Sequence, residues 1–153
     1  MRTKRRLLVE QLDRKLHPFI EAGKIPMPEK GWLHSIRTAL NMTLEQMGQR
    51  LNKTKQAVKR IETSEASGSI SVNLLREAGN AIGLKLVYGF VPVNGSLDKL
   101  IEAKACELAE RIVLRANHNM LLEDQATSQE ALRKSIQDLA ADLKREMKRT
   151  LWE

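Results

Sequence analysis

Aromatic residues are scarce in this chain. Phe, Tyr and Trp make up 3% of its 153 residues. That is thin material for a β-sandwich, whose strands usually carry aromatics, and for a surface that stacks on single-stranded bases. Hydrophobic content is 42%, so a core must come from Leu, Ile, Val, Ala and Met, which favours packed helices. Cysteine is almost missing as well. Cys106 stands alone, so no internal disulfide can form and a reducing compartment is expected. No apolar run approaches the ~20 residues of a membrane span. The basic start MRTKRRLLVEQLDRK leads into no apolar region, so it does not read as a signal peptide. A cytoplasmic protein with no membrane association is the expectation. His17, His34 and His118 are scattered without metal-ligand spacing. No carboxylate pair or nucleophile–base set stands out, and the adjacent acids in LLEDQA (121–126) read as a polar helix end. The sequence therefore predicts no enzyme, no metal and no cofactor.

Positive charge is what the chain does have. The net charge is +7. Residues 1–30 and 31–92 each hold eight Lys and Arg against four Asp and Glu, whereas residues 93–153 hold ten against eleven. A localised excess points to a polyanion partner for the first two thirds, either nucleic acid or a membrane surface.

Apolar spacing and punctuation divide the chain into three. In residues 1–30, Leu7, Leu8, Leu12 and Leu16 mark a basic amphipathic helix. His17-Pro18 ends it, and the Pro- and Gly-bearing AGKIPMPEKG is a linker. Residues 31–92 read as a series of short helices. The first has Trp32, Leu33, Ile36 and Leu40 on one face. The second opens on Thr43, with Gln46 completing a capping box. The third is capped by Thr54 and runs to about Ser64. The fourth is capped by Ser71, buries Leu74, Leu75, Ala78 and Ile82, and ends at Gly83. LKLVYGFVP (84–92) is expected to be one strand, whose hydrogen-bonding partner would be a second copy of the chain or another protein. Residues 93–153 read as a helical hairpin. Its first helix carries Leu100, Ile101, Leu108 and Ile112. Its second opens on a Thr127–Glu130 capping box and carries Leu132, Ile136, Leu139, Leu143 and Met147. These stripes read as packing against each other or a second subunit.

The stretch TLEQMGQRLNKTKQAVKRIE (43–62) has the layout of a helix-turn-helix. Gly48 lies inside a helix, where it costs ~1 kcal/mol relative to Ala unless a close backbone approach requires it. Asn52 falls in the turn, where a left-handed conformation is needed. Val58 and Ile61, with Leu44, Met47 and Leu51, would lock the two helices. The opposite face of the second helix then carries Gln56, Lys59, Arg60 and Thr63. Gln matches adenine and Arg matches guanine in the major groove, while Lys and Thr serve bases or phosphates. Lys53 and Lys55 flank this face, and the helix starts at Thr43 and Thr54 offer phosphate contacts. The same residues would also make an ordinary solvated face, but the packing framework around them favours the DNA reading. One such domain reads little sequence, so a homodimer on two half-sites of a double-stranded DNA operator is expected.

The helical core LNMTLEQMGQRLNKTKQAVKRIE resembles the Xre/Cro/cI-type helix-turn-helix family. Together with QLDRKL, GWLHSIRTALNMT, IETSEASGSISVNLLREAGNAIGLKLVYGFVP and LLEDQA, it resembles the family named mobile mystery protein A over residues 11–126. With the residue patterns above, that resemblance predicts a mainly α fold: an Xre/lambda-repressor-like helix-turn-helix domain with one short β-strand and a C-terminal helical hairpin. It also implies a bacterial transcription regulator, an autorepressor and antitoxin-like partner of a Fic-domain protein. The alternative is an antitoxin that holds the Fic partner through its C-terminal helices, with DNA binding secondary. Two positions depart from the Xre pattern: Leu44 stands where a bracing Gln is frequent, and Lys53 where the turn is often apolar. HPFIEAGK (17–24) resembles the Fic signature HPFxxGNGR only in part. It lacks the Gly-Asn pair of the anion-binding loop and the final Arg. No Ser or Thr in the chain is followed four residues later by Glu, so the [S/T]xxxE[G/N] motif of Fic inhibitory helices is missing too.

Overall fold

Local capping signals set most of the helix boundaries in the computed structural model, which describes residues 3–122 and 128–153. The described residues are mainly helical: α1 Lys4–Leu16, α2 Phe19–Ala22, α3 Trp32–Ala39, α4 Leu44–Leu51, α5 Lys55–Ser67, α6 Val72–Ala81, α7 Leu97–Leu122, α8 Gln129–Glu146 and a 3-10 turn Arg149–Trp152. They fall into two compact units. One is Lys24–Gly89, and the other joins Met1–Gly23 to Phe90–Glu153. The basic N-terminal helix thus belongs with the C-terminal hairpin.

In Lys24–Gly89, the hydroxyls of Thr54 and Ser71 cap α5 and α6 as their sequence positions predict. The capping box at α4 is complete: Thr43 Oγ1 accepts from Gln46 N, and Thr43 N donates to Gln46 Oε1. The core is Leu33, Met47, Leu51, Val58, Ile61, Ala78 and Ile82, with Ile36, Leu44, Leu74 and Leu75 packed at its margin. Helix α5 runs one turn beyond the expected end, to Ser67, and stops at Gly68 in the left-handed region. The face expected of α3 is corrected in part. Leu33 is buried, but Trp32 and Leu40 are exposed, and Arg37 takes the inward place.

Charged groups complete this core. Arg37 donates through Nε to Glu62 Oε1 and through Nη2 to Glu62 Oε2 (3.2 Å), and its Nη1 donates to Met42 O (2.8 Å). His34 Nδ1 lies 3.0 Å from Glu62 Oε2. Burial pushes the Glu62 carboxyl up, but the bonds and charges of Arg37 and His34 outweigh it and hold the group below the usual glutamate range. One turn further on, buried Glu65 accepts from Leu33 N (2.8 Å) and so satisfies a donor at the start of α3. Gly31 has φ 85° there, and a Cβ on it would fall 2.6 Å from Glu65 Oε1. Two carboxylates of α5 therefore tether α3.

The strand expected over residues 84–92 is not formed, and no strand occurs among the described residues. A strand is defined by a ladder partner, and the described residues supply none to this run. Its side chains are left open: Val87, Tyr88 and Phe90 are 65%, 63% and 80% exposed.

In the other unit, α7 and α8 form the expected hairpin around small residues. Ala105, Ala109 and Ala140 are buried, Ile101 and Leu151 cluster with Ala105, and small side chains let two helix axes approach closely. Ile112, expected on the buried face of α7, is exposed. Thr127 lies outside the described residues. The cap of α8 is Ser128, whose hydroxyl accepts from Ala131 N. The start of α7 is capped from far away in sequence: Asp13 of α1 accepts from Leu97 N (2.7 Å) and Asp98 N (3.2 Å). Arg5 of the same helix donates to Met147 O (3.2 Å) at the left-handed end of α8.

Candidate nucleic-acid interface

The candidate interface is built on the turn between α4 and α5. Asn52 ends α4 with φ 56° and ψ 43°, the left-handed conformation that Asn tolerates better than most residues. The chain then folds back so sharply that Lys53 N donates to Gly48 O (2.8 Å). A Cβ on Gly48 would lie 2.5 Å from Lys53 O, a backbone atom with little room to retreat. This contact explains the glycine, although the approaching backbone belongs to the turn rather than to the following helix. Thr54 then caps α5, its hydroxyl accepting from Ala57 N (3.1 Å).

From this fixed entry, α5 has two unlike faces. Val58 is 0% exposed and Ile61 6%, packed with Met47 and Leu51 of α4. Gln56, Lys59, Arg60 and Thr63 are all exposed on the other side. Thr43, Lys53, Thr54 and Lys55 are exposed as well, so all eight sequence-predicted site residues reach the surface of one unit. They are not equally uncommitted. Thr63 Oγ1 donates to Lys59 O (2.9 Å), which leaves its lone pairs to offer. Lys55 Nζ lies 3.5 Å from Glu45, a loose surface pair that a stronger anion can displace. The Thr43 amide, expected to serve phosphate, is occupied by Gln46. Leu44 packs against the core and gives Gln56 no bond.

Beside α5, Lys53, Arg60 and Ser64 line a shallow recess of about 290 Å³ with Ala57, Ile61 and Leu74. It presents two cations and a hydroxyl on an apolar floor. Both buried acids of α5, Glu62 and Glu65, face inward, so the outer face keeps its cations without neighbouring carboxylates of the same helix. Sequence reasoning missed this sorting of charge. The signal was present: Val58, Ile61, Glu62 and Glu65 stand at i, i+3, i+4 and i+7, the spacing of one helix face. Among the described residues, no group of three or more His, Cys, Asp or Glu is arranged to hold a metal ion. No helix among them is long and apolar enough to cross a membrane.

No protein-family model matches the chain, and neither a curated protein nor a solved structure matches it.

Proposed function

We propose that this chain is a sequence-specific DNA-binding transcription regulator, and that α4, the turn and α5 form a helix-turn-helix of the Xre and lambda-repressor kind. One observation carries the reading. The face of α5 opposite buried Val58 and Ile61 is exposed and holds Gln56, Lys59, Arg60 and Thr63, flanked by Lys53 and Lys55. In this reading α5 lies in the major groove. Gln56 and Arg60 meet base edges, and each good bidentate pair contributes about 1–3 kcal/mol of discrimination. Lys53, Lys55 and Lys59 meet phosphates and make binding salt-dependent. The N-termini of α4 and α5, at Thr43 and Thr54, add the favourable end of the helix dipole. Two half-sites on a double-stranded operator require a homodimer.

The resemblance to mobile mystery protein A extends the proposal to an autorepressor in the bacterial cytoplasm, associated with the nucleoid, acting as the antitoxin-like partner of a Fic-domain protein. No catalytic, metal or cofactor role is assigned to any residue. The second reading, a protein-binding antitoxin that holds the Fic partner through its C-terminal helices, draws on charge. Residues 24–89 hold ten Lys and Arg against five Asp and Glu, and the rest of the chain holds sixteen against fourteen. The nearly neutral part is the better surface for a protein.

Footprinting on the DNA upstream of the chain's own gene tests the main reading. Gln56→Ala is expected to relax sequence preference by about 1–3 kcal/mol. Lys53→Ala is expected to weaken all sequences evenly and lower the salt slope by about one. Wild-type binding by both variants would overturn the assigned face.

A further inference from the structure

The run that was expected to be a strand remains unexplained by DNA binding. Within Lys24–Gly89, exposure alternates along its start: Leu84 and Leu86 are half-buried, Lys85 and Val87 exposed. That is the two-residue period of a strand with one covered face. Leu84 N donates to Gly79 O (2.9 Å), and no backbone bond is seen for residues 85–89 after it. Val87 and Tyr88 are 65% and 63% exposed. Residues 84–87 themselves form one wall of a groove of about 330 Å³, faced by Trp32, Leu33, Ile36 and Leu75, with Glu65 as its carboxylate.

We propose that residues 85–89 pair in antiparallel fashion with the same residues of a second copy of this chain, and that each copy's Tyr88 fills the other's groove. A second copy fits because the usual defences against self-pairing are few. Protein edges are guarded by charge, proline or bulges, whereas the paired run carries one charge, Lys85 at its end, and residues 86–89 are Leu, Val, Tyr and Gly. A two-fold axis at Val87 sets Val87 against Val87, and Lys85 against Gly89, so no like charges meet. The same register sets Tyr88 opposite the partner's Leu86, at the mouth of the groove. The chemistry matches there: the ring meets apolar walls, and its hydroxyl can donate to the Glu65 carboxylate. This pairing does not depend on the DNA reading. If that reading holds, the axis also supplies the second recognition helix.

The test needs no DNA. Sedimentation of the full chain is expected to give twice the mass of one chain, and Tyr88→Asp to halve it with the helical circular dichroism unchanged. In a Cys106→Ser background, Val87→Cys should form an inter-chain disulfide on mild oxidation. A residue facing itself across an antiparallel ladder has Cα atoms about 4.5–5.5 Å apart, within disulfide range. Lys85→Cys should not, because the register separates the two copies of that residue by about 13 Å. A monomeric native chain overturns the proposal. So does a dimer that survives Tyr88→Asp, or one that links through Lys85→Cys and not through Val87→Cys.

Discussion

The two units of this chain are both helical, yet they are held together by different means. Lys24–Gly89 packs short helices around Met47 and Val58 and closes them with buried charge: Arg37 and Glu62 are 7% and 3% exposed. The unit of α1, α7 and α8 packs long helices through alanines and carries ion pairs at its surface. Lys104, for example, sits 2.9 Å from Glu107. Short helices bury little stripe per helix, so a unit made of them gains from specific polar ties between elements. Long helices gain enough from continuous apolar contact to leave their charges in water. A buried ion pair is a weak source of net stability, but it punishes the loss of one partner severely. The contrast is therefore one of fragility.

Trp32 lies in one unit and Trp152 in the other, so single-tryptophan versions report each unit separately during urea unfolding. Arg37→Met leaves Glu62 buried without its main partner. It is expected to cost the Trp32 unit about 3–5 kcal/mol and the Trp152 unit nothing. Equal shifts of both transitions would break the comparison. Gly48→Ala drives a methyl against the Lys53 carbonyl and is expected to cost the same unit about 1–3 kcal/mol. A neutral outcome would show that the turn can yield. Asp13→Ala removes the acceptor of the Leu97 and Asp98 amides, leaving Ser96 Oγ to accept from Lys99 N, and is expected to cost about 1 kcal/mol, seen only by Trp152. Asp13→Asn, which keeps an acceptor, should restore part of it, and failure to do so would assign the effect to charge.

Acid separates the units most finely. The folded-state pKa of Glu62 is lowered, so its contribution is present above the unfolded glutamate pKa and lost as pH falls through the folded one. The Trp32 unit should hold its stability from neutral pH down to the ordinary glutamate range and weaken below it. Raising the salt should change this little, because the pair is buried. In the other unit, Glu107 and Glu146 are held low by hydrogen bonds from Lys104 and Lys148, but both are fully exposed. Their contribution to the acid slope should be small and should vanish in salt. A salt-sensitive acid transition at Trp32 would contradict the buried pair.

Recognition of the candidate site needed only residues close in sequence. Asn52 and Thr54 act within four residues of themselves, Val58 and Ile61 pack on Met47 and Leu51 of the preceding helix, and the outward face of α5 follows from the inward one. The inward glutamates were harder to see. Acid on a buried face is costly unless a partner is present, and the partner, Arg37, lies 25 residues away. The 84–92 run forms no ladder within one chain for the reciprocal reason. Its residues have strand propensity, but a strand is a relation between two segments, and this chain offers the run only one.

The caps of α4, α5 and α6 and the turn between α4 and α5 were thus settled by the sequence, because they depend on hydrogen bonds within one or two helical turns. Tertiary structure alone decided that Arg37 and Glu62 go inside, that Asp13 caps a helix 84 residues away, and that residues 85–89 enter no ladder within one chain. Each of those outcomes depends on which distant surfaces meet, and desolvation makes the meeting favourable only when charge, donor and acceptor arrive together.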